Sequence, residues 1–544
     1  MEKLFTVPLK LNEMYLRGNA ARNDKRIMLE GGAFLSTDTY FGCFPCEPYK
    51  RNVNIKTVTA CARISGKGTI RLMLQSQEGD KTVGRENYDT SAPEKISLSS
   101  PLKNGCFYIR VDAQERTEIR ELWYESAEGK KETDIAIIIC TYKREENVLR
   151  NLRLLSSTIS EDELLKDHMQ VFCVDNGGTL SEERNDCAVP KGVDLIRNRN
   201  YGGSGGYARG MLEAVSSDRK ITHLWLMDDD ICFDASILRR AMTFLTHRKN
   251  DDVRLAAGMF PFGQPSVQHE ASAVFNGYTF RSCCSGLDFR DRKALLKNRA
   301  GKYDNAYGGW WSLIIPVSEQ LEHPADLDDR SILPMPFFIK LDDVEYGLRL
   351  PGPYVVMNGF GVWHEAFGKK ANAWSEYYTT RNTLIIQAMY PALPHSILKT
   401  MGIRFLKALA YGEPKCMEAA LKGAEHYAAG PEAFRKADPE ARHPEILARY
   451  RAPLRQDMNR KKMLQSAFRN LPRAVSRKSL ILFIRSVFLL VEARLRPGPD
   501  QEGWKIMNTP AFWRDYLGID KERQSEANGK QEEAGTDLCD HTGI

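Results

Sequence analysis

Two kinds of hydrophobic pattern divide the chain. Over residues 1–130, short runs such as 54–63 and 69–74 alternate apolar and polar positions between turn residues. Alternation of this kind is typical of strands with one buried face, and it predicts an antiparallel β-sandwich. The pattern changes at Asp134, where a continuously apolar strand, Ile135 to Cys140, begins.

The second region alternates strands with helices. A helix is predicted over Glu145 to Leu155, and further strands over Val171 to Val174 and Ile221 to Met227. This order predicts a parallel α/β sheet, in which ligands bind at the carboxyl ends of the strands. The polar groups that follow the strands should therefore converge on one crevice. These groups are Thr141, Arg144, Asp175, Asn176, Asn200, Asp228, Asp229 and Asp230.

The remainder of the chain has a helical pattern. After about Leu384 the clearest helical segments are 401–410, 417–426 and 464–495, and the stretch from Glu522 is polar and predicted to be disordered. We therefore predict four regions. They are a β-sandwich at 1–130, an α/β domain at 131–385, an α-helical domain at 386–520 and a disordered tail at 521–544.

Composition restricts the class of protein. The chain has 544 residues and a net charge of +6, with 77 basic and 71 acidic side chains. This small excess of positive charge does not indicate nucleic-acid binding. The 12 cysteines are scattered, as is typical of reduced thiols in the cytosol. The amino terminus lacks a secretory apolar run, and Leu480 to Val491 is shorter than the roughly 20 residues of a membrane span. We expect a cytoplasmic protein without a transmembrane helix.

The run Asp228-Asp229-Asp230 closes a buried strand with three charges, which an apolar core does not tolerate. In an extended segment, residues two apart share a face, so Asp228 and Asp230 can bind one cation while Asp229 points elsewhere. Carboxylate oxygens suit Mg²⁺ or Mn²⁺, whose open positions phosphate oxygens can fill. The alternative is an acidic loop that caps the next helix.

A glycine-rich loop, from Asn198 to Gly210, leads into a helix. Its bare backbone N–H groups, including those of Gly203 and Gly205, favour an anionic ligand such as a diphosphate. The loop also satisfies a loose dinucleotide pattern, so an NAD-type enzyme is an alternative. A purely structural turn is another.

Carboxylates appear again in Asp342 and Asp343, after an apolar run, Phe337 to Leu341, that predicts a strand. A carboxylate beside an acceptor hydroxyl can remove its proton, whereas capping of the next helix is the structural alternative. His364 follows a further short strand and could complete the metal set, or could be an ordinary packed histidine. Arg381 could contact phosphate or pair with a carboxylate.

Trp310 and Trp311 follow two glycines. In an extended segment these adjacent indoles point to opposite faces, so one can belong to the core while the other lines a site. Aromatic faces stack on the C–H surfaces of sugars, although simple packing is the commoner role of such a pair.

Together these motifs resemble the family 2 glycosyltransferases of the GT-A fold, a mostly parallel Rossmann-like α/β fold. The likeness is greatest to bacterial galactofuranosyltransferases that polymerise cell-wall galactan, which also have an amino-terminal β-sandwich and a carboxy-terminal helical region. One position departs from them, since Leu341 stands where those polymerases carry an aromatic residue. The matching segments are 140–144, 174–176, 200–206, 228–230, 309–311, 338–343 and 363–364.

The resemblance implies a role for each candidate residue. Asp228, Asp230 and His364 would bind Mn²⁺ or Mg²⁺, Asp343 would be the general base, and Asp342 would orient substrate. Trp310 or Trp311 would form the floor of the acceptor site. The residues at the donor would be Thr141, Arg144, Asp175, Asn176, Asn200, Gly203, Gly205 and Asp229.

The implied activity is metal-dependent, inverting transfer of a sugar, in first place galactofuranose, from a UDP-sugar to a glycan or lipid-linked glycan in cell-surface polysaccharide synthesis. Open alternatives are another nucleotide sugar such as rhamnose, a nucleotidyltransferase, and a non-catalytic carbohydrate-binding protein. Basic residues around Leu480 to Val491 favour either peripheral contact with an anionic membrane or a buried helix with snorkelling ends. A homo-oligomer is compatible with the sequence.

Overall fold

The computed structural model of the protein describes residues 1–23, 25–127, 129, 131–183, 186–299, 306–317, 333–350, 354–365, 372–454 and 500–520, with 465–467, 470 and 485. These residues form sheets and helices in a mixed α/β structure, which confirms the predicted α/β class. Most of the predicted helix at 464–495, with its proposed membrane contact, and the predicted tail at 521–544 lie outside them.

The amino-terminal part folds into a ten-stranded sheet whose strand pairs are antiparallel. Helix α1 (Cys46–Asn52) lies between its sixth and seventh strands. The strands are β1 (Glu2–Thr6), β2 (Arg17–Gly18), β3 (Ala21–Asn23), β4 (Arg26–Leu29), β5 (Phe34–Ser36), β6 (Phe44–Pro45), β7 (Thr57–Ser76), β8 (Gly79–Pro101), β9 (Cys106–Ala113) and β10 (Thr117–Ser126).

Strand β7 pairs with different strands along its length. Residues 59–65 of β7 pair with β10, residues 68–75 pair with β9, and the register shifts at Gly66 between the two halves. Gly66 has a φ of +109°, and a Cβ there would lie 2.3 Å from the carbonyl oxygen of Arg116. Only glycine combines this φ with such a close approach of the neighbouring backbone, so it permits the register shift between the two halves of β7. The predicted runs at 54–63 and 69–74 fall mostly within this one strand.

Fifteen further strands follow in the described residues. They are β11 (Ile135–Thr141), β12 (Met169–Asp175), β13 (Val193–Arg197), β14 (His223–Asp228), β15 (Cys232–Phe233), β16 (Arg254–Ala256), β17 (Gly258–Pro261), β18 (Val267–Gln268), β19 (Ser272–Phe275), β20 (Phe280–Cys283), β21 (Leu287–Asp288), β22 (Ala306–Tyr307), β23 (Ser312–Pro316), β24 (Tyr354–Val355) and β25 (Gly361–His364).

Seven of these strands form the central sheet, in the order β13-β12-β11-β14-β23-β16-β24. Neighbours from β13 to β14 run parallel, whereas β23 runs antiparallel to both β14 and β16. Three smaller sheets are also present in the described residues. Their strand orders are β15-β25-β17, β18-β21 and β20-β19-β22. The parallel half of the central sheet carries the strand ends at which the sequence predicts ligand binding.

Helices cover both faces of the central sheet and make up most of the carboxy-terminal region. Beyond α1, the helices of the described residues, with one 3-10 turn at Ile506–Asn508, are α2 (Glu145–Glu161), α3 (Glu163–His168), α4 (Gly202–Val215), α5 (Ser236–Thr246), α6 (Lys293–Lys297), α7 (Asp342–Arg349), α8 (Ser375–Met389), α9 (Ile397–Tyr411), α10 (Pro414–Ala428), α11 (Gly430–Arg435), α12 (Pro439–Tyr450), α13 (Gln501–Lys505) and α14 (Pro510–Leu517).

The apolar run of β11 is buried on both faces because consecutive side chains enter different cores. Ile137 and Ile139 pack in the core that contains residues of α2 and α5. Ala136 and Ile138 pack in the core that contains residues of α4. In the described part of the chain, every helix falls short of the length or hydropathy that a membrane span requires.

One predicted element is wrong. The run Phe337 to Leu341 is not a strand, and three of its residues, Phe338, Lys340 and Leu341, have positive φ angles of 71°, 69° and 67°. The left-handed backbone turns the chain sharply into α7, so the alternating geometry of a strand is lost. The other predicted strands and helices named above in the α/β region, and the helices at 401–410 and 417–426, are confirmed in the described residues.

Candidate active site

Three neighbouring parallel strands end side by side in polar residues. Thr141 at the end of β11 pairs with Asp175 at the end of β12, and Cys140 pairs with Asp228 at the end of β14. Because parallel strands share their carboxyl edge, these side chains lie along one rim of the sheet. The structure therefore brings the predicted polar groups together at a single edge.

Asp229, the middle aspartate, is bound by Thr141, the last residue of β11, and by Arg144, which follows that strand. Its carboxylate accepts hydrogen bonds from Thr141 Oγ1 at 2.8 Å and Arg144 Nη1 at 3.0 Å. The same arginine nitrogen donates to Asp230 Oδ2 at 2.7 Å. Burial raises the pKa of Asp229 to about 6, and Arg144 opposes that rise. Thr141 and Arg144, predicted at the donor, thus also orient the aspartate run.

Asp228, Asp230 and His364 form a candidate metal site, because one ligand atom from each lies within 4.8 Å of the others. His364 Nδ1 donates to the carbonyl oxygen of Glu365 at 2.6 Å, since a carbonyl can only accept. His364 Nε2 therefore faces Asp230 Oδ1, at 3.0 Å. Two carboxylates and one imidazole, the latter fixed by its second nitrogen, fit a divalent cation such as Mn²⁺.

The backbone of the aspartate run is held by helix α2. Asn151 Nδ2 donates to the carbonyl oxygens of Asp229 at 2.9 Å and Ile231 at 3.0 Å, and Arg150 Nη2 donates to that of Ile231 at 2.6 Å. The alternative that the aspartates cap α5 does not match the contacts, because Asp234 accepts from Ser236 N at the start of that helix. Asn151 was not predicted, since a polar residue on a helix gives no sign of its partner.

Three predicted donor residues organise neighbouring loops. The Asp175 carboxylate is buried and accepts three backbone hydrogen bonds of 2.8–3.0 Å, from the N–H groups of Gly177, Gly178 and Leu180. Asn176 Nδ2 donates to the carbonyl oxygen of Gly202 at 3.0 Å, and Asn200 Oδ1 accepts from the N–H group of Gly202 at 3.2 Å. Both asparagines thus fix the entry to α4.

The glycine-rich loop allows α4 to pack closely at its start. Gly202 has a φ of +71°, and a Cβ there would lie 2.0 Å from the carbonyl oxygen of Phe338. The N–H group of Gly203 donates to the same oxygen at 2.9 Å. A Cβ on Gly206 would lie 2.0 Å from Cys140 Sγ, so the helix can approach β11 only with glycine there. Part of the glycine pattern is therefore structural, as one alternative predicted.

The amino terminus of α4 lies beside the Asp342 carboxylate. Ser204 Oγ donates to Asp342 Oδ2 at 3.4 Å, and a Cβ on Gly203 would lie 3.4 Å from that oxygen. Gly205 packs instead against Tyr201, whose Cβ would lie 2.2 Å from a Cβ on the glycine. Of the two predicted glycines, Gly203 adjoins the carboxylate and Gly205 permits close packing.

Asp342 and Asp343 form the first turn of α7, after the left-handed Leu341 at its N-cap. Burial raises the pKa of Asp342 to about 6. Burial, and next the charge of Asp342, raise the pKa of Asp343 well above its usual range. Burial and nearby negative charge both favour the protonated form, which makes Asp343 a better proton acceptor than an ordinary aspartate.

Glu270 is a site residue that the sequence did not reveal. It is 9% exposed and accepts a hydrogen bond from Ser282 Oγ. Its charge contributes, after that of Asp342, to the raised pKa of Asp343, as does the charge of Asp228. A third carboxylate therefore lies close enough to the pair for its charge to affect Asp343. Glu270 precedes the short strand β19 and belongs to no recognisable motif.

We predict that kcat/KM for the reaction increases with pH over a range well above the ordinary aspartate pKa of about 4. Asp343 must be deprotonated to act as a base, and its raised pKa moves that requirement to higher pH. Glu270→Gln removes one nearby charge, so it should lower the pKa of Asp343 and move the acidic limb to lower pH. Metal binding is measured over the same range as a control. An acidic limb at about 4 that Glu270→Gln does not move would contradict the assignment.

Trp310 and Trp311 enter opposite cores, as expected for adjacent residues of an extended segment. Trp311 Nε1 donates to the carbonyl oxygen of Ala257 at 2.9 Å. The Trp310 ring lies 4.9 Å from that of Tyr207 and 5.5 Å from that of Tyr346, and its Nε1 has no hydrogen-bond partner in the described residues. The Tyr207 hydroxyl, which donates to the carbonyl oxygen of Met227 at 2.8 Å, also lies 3.2 Å from Asp228 Oδ1. Trp310 is thus the indole connected to the site.

No family model matches the chain. Among curated proteins, the chain is 26% identical over 469 residues to the galactofuranosyltransferase GlfT2 of Mycobacterium tuberculosis, covering 78% of this chain and 71% of that protein. It is 27% identical over 469 residues to the galactofuranosyltransferase GlfT2 of Mycolicibacterium smegmatis, covering 78% of this chain and 70% of that protein. The predicted resemblance to galactofuranosyltransferases is confirmed by this similarity, whereas membership of glycosyltransferase family 2 stays a prediction.

Solved structures give a weaker likeness. The S. aureus TarS 1–349 structure in complex with UDP is 11% identical, with a TM-score of 0.30, covering 69% of this chain and 90% of that chain. The complex of the same protein with UDP-GlcNAc gives the same identity, TM-score and coverage. At these TM-scores the likeness supports no inference about this chain.

Proposed function

We propose that this chain is a metal-dependent, inverting glycosyltransferase of the GT-A fold. It transfers galactofuranose from UDP-galactofuranose to a hydroxyl of a glycan or lipid-linked glycan in cell-wall polysaccharide synthesis. One observation carries the proposal: Asp228, Asp230 and His364 form a ligand set, and the charge of Asp228 reaches Asp343, a carboxylate whose pKa is raised well above its usual range. The similarity to two galactofuranosyltransferases supports the choice of sugar.

The donor lies in this proposal along the carboxyl edge of β11 and β12. Arg144, Asp175 and Asn200 hold its uridine diphosphate end, and the positive end of the α4 helix dipole lies nearby, which favours anions. Arg144 is already oriented by Asp229 and Asp230. Its fixed guanidinium can therefore meet phosphate oxygens without first being ordered.

Asp228, Asp230 and His364 would hold a divalent cation. When bound, the cation neutralises the negative charge that develops on the departing diphosphate. Tyr207, whose hydroxyl lies 3.2 Å from Asp228 Oδ1, and Asn151, which holds the backbone of the aspartate run, keep these ligands in place. Residues that hold the metal ligands in this way are often nearly as important to a metal site as the ligands themselves.

Asp343 acts as the general base. The acceptor hydroxyl attacks the anomeric carbon from the face opposite the diphosphate, and its proton passes to the Asp343 carboxylate. One C–O bond forms as the other breaks, UDP leaves with the bonding electrons, and the configuration at the anomeric carbon inverts. Asp342, held by Ser204, orients the substrate. General-base assistance of this kind contributes roughly 10²- to 10⁴-fold in rate.

The acceptor occupies the side of the crevice that contains Trp310. Its ring connects the acceptor side to the aspartate run through Tyr207. Leu341, beside the catalytic pair, is buried and packs in the same core as Trp310. An aromatic residue there would fill more of this core than leucine does, so it would pack differently beside Trp310. Leu341 therefore distinguishes the packing beside the catalytic pair from that expected of a galactan polymerase.

The proposed function is tested by UDP release from a panel of UDP-sugars, including UDP-galactofuranose, with Mn²⁺ and with chelator. Slow donor hydrolysis needs no known acceptor, so the panel can be used before the acceptor is identified. We expect chelator-sensitive release from UDP-galactofuranose above all other donors. Equal release from every donor would reject the choice of sugar. No release from any donor, by folded protein that binds UDP, would reject the proposed reaction.

A further inference from the structure

The segment Phe337 to Leu341, which leads into the catalytic pair, has an unusual backbone. Phe338, Lys340 and Leu341 all adopt the left-handed region, with φ angles of 71°, 69° and 67°. Side chains with a Cβ disfavour this region, and several such residues in a row persist only where surrounding contacts impose them. Asp342 and Asp343 follow directly, so whatever holds this segment also sets the position of the two carboxylates.

Helix α8 supplies these contacts. Asn382 Nδ2 donates to the carbonyl oxygens of Lys340 at 2.7 Å and Ile339 at 3.2 Å. Arg381 Nη2 donates to the carbonyl oxygen of Phe337 at 2.8 Å, and Arg381 Nε donates to Asn382 Oδ1 at 2.9 Å. The arginine thus also orients the amide. Two adjacent side chains of one helix bind three carbonyl oxygens of the left-handed segment.

Both side chains are buried and rigid. Asn382 is 0% exposed and Arg381 is 4% exposed. The Arg381 guanidinium carbon lies close to three ring centres: 4.7 Å from that of Phe434, 5.1 Å from that of Tyr378 and 5.3 Å from that of Tyr377. Planar contacts on several rings fix a guanidinium as well as stabilise it. Arg381 therefore binds a backbone carbonyl oxygen of this segment and packs on aromatic rings of the helical region. Neither phosphate nor a carboxylate, the two partners expected from the sequence, is among these contacts.

Helix α4 holds the segment from the other side. Gly203 N donates to the Phe338 carbonyl oxygen at 2.9 Å, and Ser204 Oγ donates to Asp342 Oδ2 at 3.4 Å. The left-handed segment thus lies between the donor-side helix α4 and helix α8. A shift of Asn382 would let the start of α7 move while the metal ligands, which lie at or just after the ends of β14 and β25, stayed in place.

We propose that Asn382, oriented by Arg381, is a positioning residue that sets the place of the Asp343 carboxylate without touching substrate. This inference rests on the proposed function, because it assigns Asp343 the role of base. Displacement of a catalytic group by about 1 Å can reduce rate by roughly 100-fold. Loss of the amide should therefore lower kcat and leave donor binding unchanged.

The test is Asn382→Leu, which keeps the size of the side chain and removes both hydrogen bonds. Gln387→Leu is the matched control. Gln387 lies on the same helix, is 2% exposed, and donates to the carbonyl oxygen of Gly277 at 2.6 Å, away from the catalytic pair. We expect Asn382→Leu to lower kcat by about 10- to 100-fold with the donor KM and UDP affinity within about threefold of wild type. Gln387→Leu should leave kcat within about threefold.

Hydrogen exchange separates this inference from the proposed function. Asn382→Leu should increase amide exchange in peptides spanning 338–345, and Gln387→Leu should not, whatever reaction the enzyme performs. A wild-type protein that releases no UDP from any donor, with this exchange pattern present, would reject the reaction and retain the positioning contact. Unchanged exchange and unchanged kcat in Asn382→Leu would overturn the inference. Equal losses of kcat in the two variants, in proportion to the decrease in their melting temperatures, would also overturn the inference. They would show that Asn382 has only a structural role.

Discussion

Asp343→Asn is expected to lower turnover of the preferred UDP-sugar by about 10²- to 10⁴-fold. The amide has nearly the shape of the carboxylate but cannot accept the acceptor proton. UDP and Mn²⁺ affinities should stay within about threefold of wild type, since the ligand set and the donor residues are unaltered. Steady-state kinetics and calorimetric titration with UDP measure the two effects. Wild-type turnover in this variant would exclude Asp343 as the base.

The same substitution is expected to increase stability at neutral pH. Burial and the charge of Asp342 raise the folded-state pKa of Asp343, so the folded protein binds this proton more tightly than the unfolded chain does. The carboxylate therefore contributes less to stability as pH rises from about 4 through its folded-state pKa. Asp343→Asn removes that loss, and its melting temperature should exceed that of wild type at pH 8 but not at pH 4. A catalytic role would explain why this carboxylate is retained although it lowers the stability of the folded protein.

Asp342→Asn is the matched control for this position. It leaves Asp343 in place and removes the adjacent charge that raises its pKa. We expect a smaller loss of turnover and an acidic limb displaced to lower pH. A loss equal to that of Asp343→Asn, without displacement of the limb, would assign the two aspartates to one joint role.

The parts of the site that could be predicted from the sequence are those encoded by local pattern. The apolar run of β11 and the abrupt charge at Asp228 to Asp230 identify strand ends, and parallel strands bring their ends to one edge. Adjacent positions also predict that Trp310 and Trp311 enter different cores. These inferences need only the two-residue period of a strand and the topology of the sheet.

The parts that could not be predicted depend on contacts between distant segments. Phe337 to Leu341 is apolar enough to be taken for a strand, but Asn382 and Arg381 bind its carbonyl oxygens and hold it in a left-handed turn. Asn151 and Glu270 reach the site from a helix and a loop that carry no motif. Tertiary hydrogen bonds here override local preference, and functional sites are where such conflicts are expected.

Removal of a metal ligand is the second large effect that we expect. Asp230→Asn should weaken Mn²⁺ binding and lower turnover by more than the roughly 10- to 100-fold that loss of an outer-shell partner costs. An amide offers one neutral oxygen in place of a charged carboxylate, so both attraction for the cation and neutralisation of the diphosphate are reduced. Electron paramagnetic resonance of Mn²⁺, titrated with protein, measures affinity separately from activity.

Asp229→Asn is the matched control, because it changes the adjacent carboxylate of the same run. Asp229 is bound by Thr141 and Arg144 and lies outside the ligand set. We expect Asp229→Asn to affect the donor KM more than Mn²⁺ affinity, whereas Asp230→Asn shows the opposite order. Excess Mn²⁺ should restore part of the turnover of Asp230→Asn and none of that lost in Asp343→Asn. If Asp230→Asn keeps wild-type Mn²⁺ affinity and its turnover resists chelator, the cation does not bind at the aspartate run, and the proposed mechanism fails at its first step.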